Sequence, residues 1–440
     1  MGAALRHRVS PGTGMIRTMA SRSNFPPAIF ASRRSILLHP LTVTSSIWGS
    51  LMIFYALHLS NLLRFSISEL APAALAIWTP FLLVGCVSAL WRPISLRRRY
   101  RPATPSPEQL VVIESRLGLL WRLWIFAAAV ETVASGGFPV IWLFTNPSKT
   151  YFDYGIPSLH GLVNSLLLAL TLCRFALYLL TGHNRHLRIP LFSIFWWMVL
   201  LSRGTLLFTL VEWAILLLRI RDIRAKTLSK IAAAAVLMIL IFGWAGDLRS
   251  GADRFRELAQ PVTSYPQWLP SGVLWVYIYA TTPLNNLVYS MLSRDPEDNA
   301  LLPHTLSLLL PTVVRNIVYG DAGAAADALS GELIEQNFNV STAYLGPAQD
   351  FGLPAIFFFS LITAYACQWF WYKPDLRSQL CFSVLTMCLV FSVFYDLFLS
   401  LPVITQMLWF YLILRKRGGR LAFRQMHGVL PVSGDYRFGP

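Results

Sequence analysis

In this 440-residue chain the groups best suited to chemistry are a few polar residues stranded at the edges of long apolar runs. Polar side chains are expensive in hydrocarbon, so their positions are informative. Glu131 stands shortly before Gly136 and Gly137, and the sequence YFDYGIPSLHG follows at 151–161. Closely spaced Gly and Pro dictate a sharply turned, rigid backbone that suits ligand binding, although an ordinary helix-ending turn has the same composition. Three arginines, Arg203, Arg249 and Arg315, offer a permanent charge and a planar fork matched to phosphate. Each also has a plainer use. Arg203 would serve as a snorkelling anchor, Arg249 as the ion-pair partner of Asp247, and Arg315 as the polar side of an amphipathic piece over 308–318.

The elements that must position these groups are apolar helices. Hydrophobic residues make up 55% of the chain and charged residues only 13%, against roughly 25% charged in soluble proteins, which excludes a soluble globular fold. Runs such as 162–180 and 228–244 lack the ten-residue alternation of a membrane β-barrel, so the fold class is all-α, a polytopic membrane protein. Apolar runs at about 41–63, 71–91, 117–135, 158–180, 189–202, 204–218, 228–246, 351–371, 380–398 and 401–414 predict about ten transmembrane helices.

Basic residues cluster at 92–101 and Arg116, at 219–230, and after 414, all on one side under the ten-span count, which the positive-inside rule makes cytosolic together with both termini. The rule requires two short helices meeting near Ser202, Arg203 and Gly204, because one long helix over 189–218 would break it. The same count leaves one large extracytoplasmic loop, 247–350, with five Arg, no Lys and eleven acids, a local charge of −6. The overall charge of +16 is therefore cytosolic and calls for no nucleic acid. Within the loop, 274–292 is apolar enough to touch the membrane, and it is expected as a re-entrant or interfacial segment, since a full span would invert everything after it. The chain thus divides into a basic cytosolic tail (1–40), a membrane domain (41–414) and a second basic tail (415–440). A transit peptide, or a start at Met15 or Met19, is the alternative for the first segment. The five cysteines fall in apolar runs without a CxxC pair and read as core residues.

Six blocks, GGFPVIWL (136–143), YFDYGIPSLHG (151–161), SRG (202–204), GDLRSG (246–251), YATTPLNNL (279–287) and FNVSTAYLGPAQDFG (338–352), resemble in their order the oligosaccharide repeat-unit polymerases, the Wzy or O-antigen polymerase type. The resemblance covers about half the chain and implies a GT-C-like glycosyltransferase of the bacterial inner membrane. Such an enzyme moves a growing glycan from undecaprenyl diphosphate to the non-reducing end of a new lipid-linked repeat on the periplasmic face. Its partners would be undecaprenyl-diphosphate-linked oligosaccharide, membrane lipid, a chain-length regulator and a flippase.

A diphosphate leaving group needs cationic stabilisation more than a general acid, which assigns Arg203, Arg249 and Arg315 to the diphosphate. The acceptor hydroxyl needs a base, and Asp350, His160 and Asp153 lie in the resembling blocks. Asp350 is preferred, as the residue that ends the loop and opens span 8, a placement that also suits a plain helix cap. Asp153 would otherwise be a turn former and His160 an interfacial donor. Glu131 and Glu212 are read as structural partners for buried Arg. Asn285, Asn286, Asn339, Tyr344, Tyr279 and Trp275 offer amides and aromatic faces to sugar rings, although an aromatic belt gives the same enrichment. No cofactor or metal is implied, because Asp295, Glu297 and Asp298 lack further ligands. The competing readings are an O-antigen ligase or another polyprenyl-phosphate glycosyltransferase, and a transporter or flippase, which would carry paired charges near the midplane and two related halves.

Overall fold

The structure, a computed structural model, describes residues 37–91, 105–146, 148–221, 229, 233, 236–237, 252–266, 269, 271–293, 302–325, 333–335 and 337–415. Fifteen helices follow one another in this part of the chain: α1 (Pro40–Ala56), α2 (Ile67–Trp91), α3 (Pro107–Ser135), α4 (Pro139–Thr145), α5 (Leu159–Thr181), α6 (Arg188–Val199), α7 (Arg203–Ile220), α8 (Ala252–Ala259), α9 (Ser271–Leu292), α10 (Pro303–Leu306), α11 (Thr312–Ala325), α12 (Leu345–Phe351), α13 (Leu353–Trp371), α14 (Leu376–Phe391) and α15 (Leu401–Ile413). Among the described residues the one extended pairing is an isolated bridge between Ser60 and Pro261.

Four stretches are long and apolar enough to cross a membrane: Ile67–Leu90, Pro107–Thr145, Leu159–Thr181 and Leu353–Trp371. The chain is accordingly an all-helical membrane protein. The ten-span count finds less support, because α14 and α15 are apolar but shorter, and the run at 228–246 lies almost wholly outside the described residues. The tails 1–36 and 416–440 lie outside them too.

Local chemistry sets the boundaries. Ser106 and Gln109 form a reciprocal capping box with Pro107 in the first turn of α3, and Gly136, at φ 73°, ends that helix. Asp375 caps α14 by accepting from the Ser378 amide. α6 and α7 are two separate helices that meet at Leu200–Ser202, with Leu201 at φ 56° making the reversal. The 274–292 segment is one continuous helix, α9, with Pro283 inside it.

α5 is the packing axis. It touches α3, α6, α7 and α15, and 72% of its span is buried, whereas α2 buries 28% of its span and turns most of its surface outwards. Lipid offers no hydrophobic drive for helix association, so close packing and polar bonds must hold these contacts. The Trp409 indole donates to Ser165 (3.2 Å), joining α15 to α5, and the Gln406 amide donates to both oxygens of Glu212 (3.1 and 2.9 Å), joining α15 to α7. Glu212 was expected to answer a buried Arg. Its partner is an amide, which satisfies both oxygens without bringing a second charge into the bundle. Cys173, Cys367, Cys381 and Cys388 are core residues, but Cys86 faces outwards on α2.

Contacts between distant segments identify the two ends of the bundle. At one end His39 meets Gln368 (3.1 Å), Arg116 donates to the Ile413 carbonyl (2.9 Å), Arg219 donates to the Trp371 carbonyl (2.6 Å), and Arg377 donates to the Leu414 carbonyl (3.1 Å). At the other end the Ala343 amide donates to the Ser392 carbonyl (2.8 Å), and Gly161 lies against Pro402. That second end carries the connections at 57–66, 136–158, 200–202, 338–352 and 392–400.

Candidate functional site

A polar constellation at this end is built from α3, the loop after α4, and α5. Glu131 lies a turn before the end of α3 with its side chain only 2% exposed, and its Oε2 is 3.3 Å from Nδ1 of His160, whose side chain is 32% exposed. On the far side of the ring, Nε2 is 2.8 Å from the Asn164 amide nitrogen, one turn along α5. With that amide donating, Nε2 is the bare nitrogen and Nδ1 carries the proton given to Glu131. A buried carboxylate that orients a half-exposed imidazole is the arrangement of a general base with its positioning group. Glu131 was read from sequence as a partner for a buried Arg; the structure gives it His160.

The loop is tied down so that the ring cannot drift. The Gly155 amide donates to the Ser135 hydroxyl (2.8 Å), the Ile156 amide to Glu131 Oε1 (3.4 Å), and the Tyr154 and Thr132 hydroxyls share a bond (2.8 Å). Lys149 adds a bond to the Ser135 carbonyl (3.1 Å). Two residues take left-handed backbone here, Gly155 at φ 99° and Ser158 at φ 70°. A Cβ on Gly155 would lie 2.5 Å from the His160 ring. Gly155→Ala is therefore expected to destabilise the protein by about 1–3 kcal/mol and to push His160 away from Glu131. Thermal unfolding of the purified variant checks this; an unchanged melting temperature would show that the loop yields freely.

The remaining sequence candidates fall into three groups. Asp350 does not open the helix that follows it. It lies in the last turn of α12, and Gly352, at φ 68°, separates it from α13. The carboxylate is fully buried and accepts from the Thr305 amide (2.8 Å), the Thr305 hydroxyl (2.5 Å) and the His304 amide (3.2 Å). It caps a helix after all, but that helix is α10, some 45 residues earlier in the chain. Arg315 is 5% exposed on α11, which packs on α10, while Val313, Val314, Ile317 and Val318 of the same helix face outwards. The helix is thus amphipathic with its apolar side out and its arginine in. Burial, then the Asp350 charge, raises the nearby Tyr319 phenol, so α11 and α12 enclose one polar region.

The exposed candidates form the second group. Asp153 lies in a single 3-10 turn, where the Thr150 amide (2.7 Å) and hydroxyl (3.1 Å) hold its carboxyl below the usual range, which makes it a turn former and a weak base. Arg203 is the exposed first residue of α7, and its side chain makes no hydrogen bond or ion pair among the described residues. Arg249 lies outside the described residues, as do Asp295, Glu297 and Asp298.

Asn285 and Asn286 belong to the third group, and both amides are spent within the protein, mostly on backbone. Asn285 accepts from the Tyr55 hydroxyl (2.9 Å) and the Arg64 amide (3.2 Å) and donates to the Leu62 carbonyl (2.9 Å), while Asn286 donates to the Phe338 and Val340 carbonyls (3.0 and 2.9 Å). Tyr344 is fully buried between Trp48 and Phe359. Tyr279 and Asn339 do reach the surface, and Trp275 stacks between Phe255 (3.7 Å) and Tyr279 (5.5 Å).

Sequence reasoning missed the 392–400 connection. It was taken as the end of an apolar span, yet α14 stops at Phe391 and Tyr395 emerges within electrostatic reach of Tyr279 and Tyr151. Beside it, Asp396 accepts from the Phe398 and Leu399 amides (3.0 and 3.4 Å) through Oδ1, while Oδ2 is buried with no partner among the described residues. Burial pushes this carboxyl up to about 7. The only signal in the sequence was a lone acid in an apolar run.

No protein-family model, curated protein or solved structure matches the chain. The functional reading accordingly rests on the residues.

Proposed function

We propose that the chain is a membrane glycosyltransferase of the repeat-unit polymerase type, acting on glycans carried by undecaprenyl diphosphate. The observation that carries the reading is the Glu131–His160 pair, a buried carboxylate behind a half-exposed imidazole, with His160 in one of the blocks that resemble such polymerases and Glu131 five residues before another. In the reaction the acceptor hydroxyl replaces Asn164 at Nε2 and gives its proton to His160. The hydroxyl oxygen bonds to the anomeric carbon as the bond from that carbon to the diphosphate breaks, and the lipid diphosphate leaves with the electron pair. Arg203 is the exposed cation available to that leaving group, and Arg315 is an inward-facing one.

The base passes from Asp350 to His160 in this reading, because three donors already occupy the Asp350 carboxylate. The site faces the periplasm of a bacterial inner membrane, and the end bearing Arg116, Arg219, Arg221, Lys373 and Arg377 faces the cytosol, as the positive-inside rule asks of so basic an end. Deleting the gene and resolving surface or secreted polysaccharide on a gel tests the proposal. Loss of long polymer with accumulation of single-repeat product is expected. Long polymer that persists unattached would favour a ligase, and loss of all product a flippase.

A further inference from the structure

Between the end of α1 and the start of α2 lies an open cleft of about 300 Å³, lined by Tyr55, His58, Arg64, Phe65, Ser66 and Ile67. We propose that this cleft binds the phosphate headgroup of a membrane lipid, held by the Arg64 guanidinium and the His58 imidazole. Neither residue belongs to the blocks that carry the functional reading, and the inference stands without it.

Three observations support it. The first is charge. His58 and Arg64 are both exposed basic residues, and neither has a side-chain hydrogen bond or ion pair among the described residues. The acid nearest in sequence, Glu69, is turned back on its own helix, accepting from the Ser66 amide (2.7 Å) and hydroxyl (2.7 Å). Those donors are therefore spent, and an anion must be held by the two basic side chains. Arg suits this task through its fork geometry towards phosphate oxygens.

The second is rigidity. The connection that carries both residues is pinned along its length: the Leu59 amide donates to the Tyr277 hydroxyl (2.8 Å), the Ser60 hydroxyl to the Ala259 carbonyl (2.6 Å), and the Tyr55 hydroxyl to the Phe65 carbonyl (3.1 Å). Asn285 holds Leu62 and Arg64 from below. His58 is kept at φ 46°, a conformation that a non-glycine residue holds only when its surroundings impose it. A preformed site of this kind loses little freedom on binding.

The third is the wall beside the cleft. Ile53, Phe54 and Leu57 at the end of α1, and Ile67 at the start of α2, are 64%, 41%, 55% and 41% exposed. Apolar surface next to a cationic cleft fits an amphiphile whose phosphate sits between Arg64 and His58 while its chains run along α1 and α2. Phospholipids and polyprenyl diphosphates share that chemistry.

The test uses the purified full chain in dodecyl maltoside micelles in a phosphate-free buffer, with thermal shift and native mass spectrometry as readouts. The probes are phosphatidylglycerol, farnesyl diphosphate, farnesol and inorganic pyrophosphate. Stabilisation and adduct formation are expected with phosphatidylglycerol or farnesyl diphosphate, and whichever gives the larger shift identifies the headgroup class. Binding should weaken about tenfold or more in Arg64→Ala and further in the double variant His58→Asn/Arg64→Ala, where Asn tolerates the left-handed backbone. Equal binding by a double variant with an unchanged melting temperature would overturn the site. Farnesol acting as strongly as farnesyl diphosphate would overturn the role of phosphate, and pyrophosphate acting as strongly as either lipid would overturn the role of the apolar wall.

Discussion

Glu131→Gln is expected to leave the protein folded and abundant while lowering glycan transfer by about 100-fold or more, the scale of general-base contributions. The carboxylate does two things for His160 across 3.3 Å: it accepts from Nδ1, which leaves Nε2 bare, and it faces the positive charge that forms when Nε2 takes a proton. Gln can accept the same hydrogen bond but carries no charge, and its amide can also turn and donate to Nδ1, which fixes the wrong tautomer. His160→Gln should cost as much, and the double variant little more than either single one, because groups that act as a unit are not additive. The measurement is polymer amount and length at matched protein level. Wild-type polymer from Glu131→Gln would reduce the pair to a structural contact and remove the observation on which the proposed function rests.

Asp396 should make the fold sensitive to pH. Its carboxyl is raised from an ordinary value of 3.8 to about 7 because burial disfavours the charged form, and its Oδ2 is buried with no partner among the described residues. The folded protein keeps this proton over a range in which the unfolded chain has lost it. The contribution to stability is thus fully present below about pH 4, falls as pH rises through about 7, and is flat above that. Its full size is roughly 4 kcal/mol, at 1.36 kcal/mol for each pH unit of separation. Asp396→Asn keeps the acceptor for the Phe398 and Leu399 amides and removes the charge. It is expected to be more stable than the parent at pH 8 and to show a flatter profile of melting temperature between pH 4 and 8. An unaltered profile would mean that the carboxyl is not charged at the cost assigned to it.

The sequence made some of this arrangement readable and hid the rest for physical reasons. Apolar run length predicts α2, α5 and α13, because a helix in lipid must satisfy its own backbone. The break between α6 and α7 follows from basic residues on either side of 189–218. The pairings that build the site are another matter. Glu131 and His160 are 29 residues apart on helices whose contact no local pattern announces, and Asp350 reaches the amides at 304 and 305 from a helix that lies elsewhere in the chain. Asn285, Asn286 and Tyr344 look like surface chemistry in one dimension, yet they are buried because α9 and α12 pack inwards. Asp396 was hidden in a run whose composition stays apolar for several residues after the helix ends.

The way α9 holds the 57–66 connection bears on how the protein is made. The Asn285 amide that completes the bonds at Leu62 and Arg64 is synthesised more than 220 residues after them. At a typical 5–20 residues per second, that interval is roughly 10–45 s, during which the turn between α1 and α2 lacks its final donors and acceptors. The first hairpin therefore waits, open at its tip, for a helix from the second half of the chain. Slowing elongation between codons 67 and 285 would prolong that exposure, and a protease acting on that face would find the tip before Asn285 arrives.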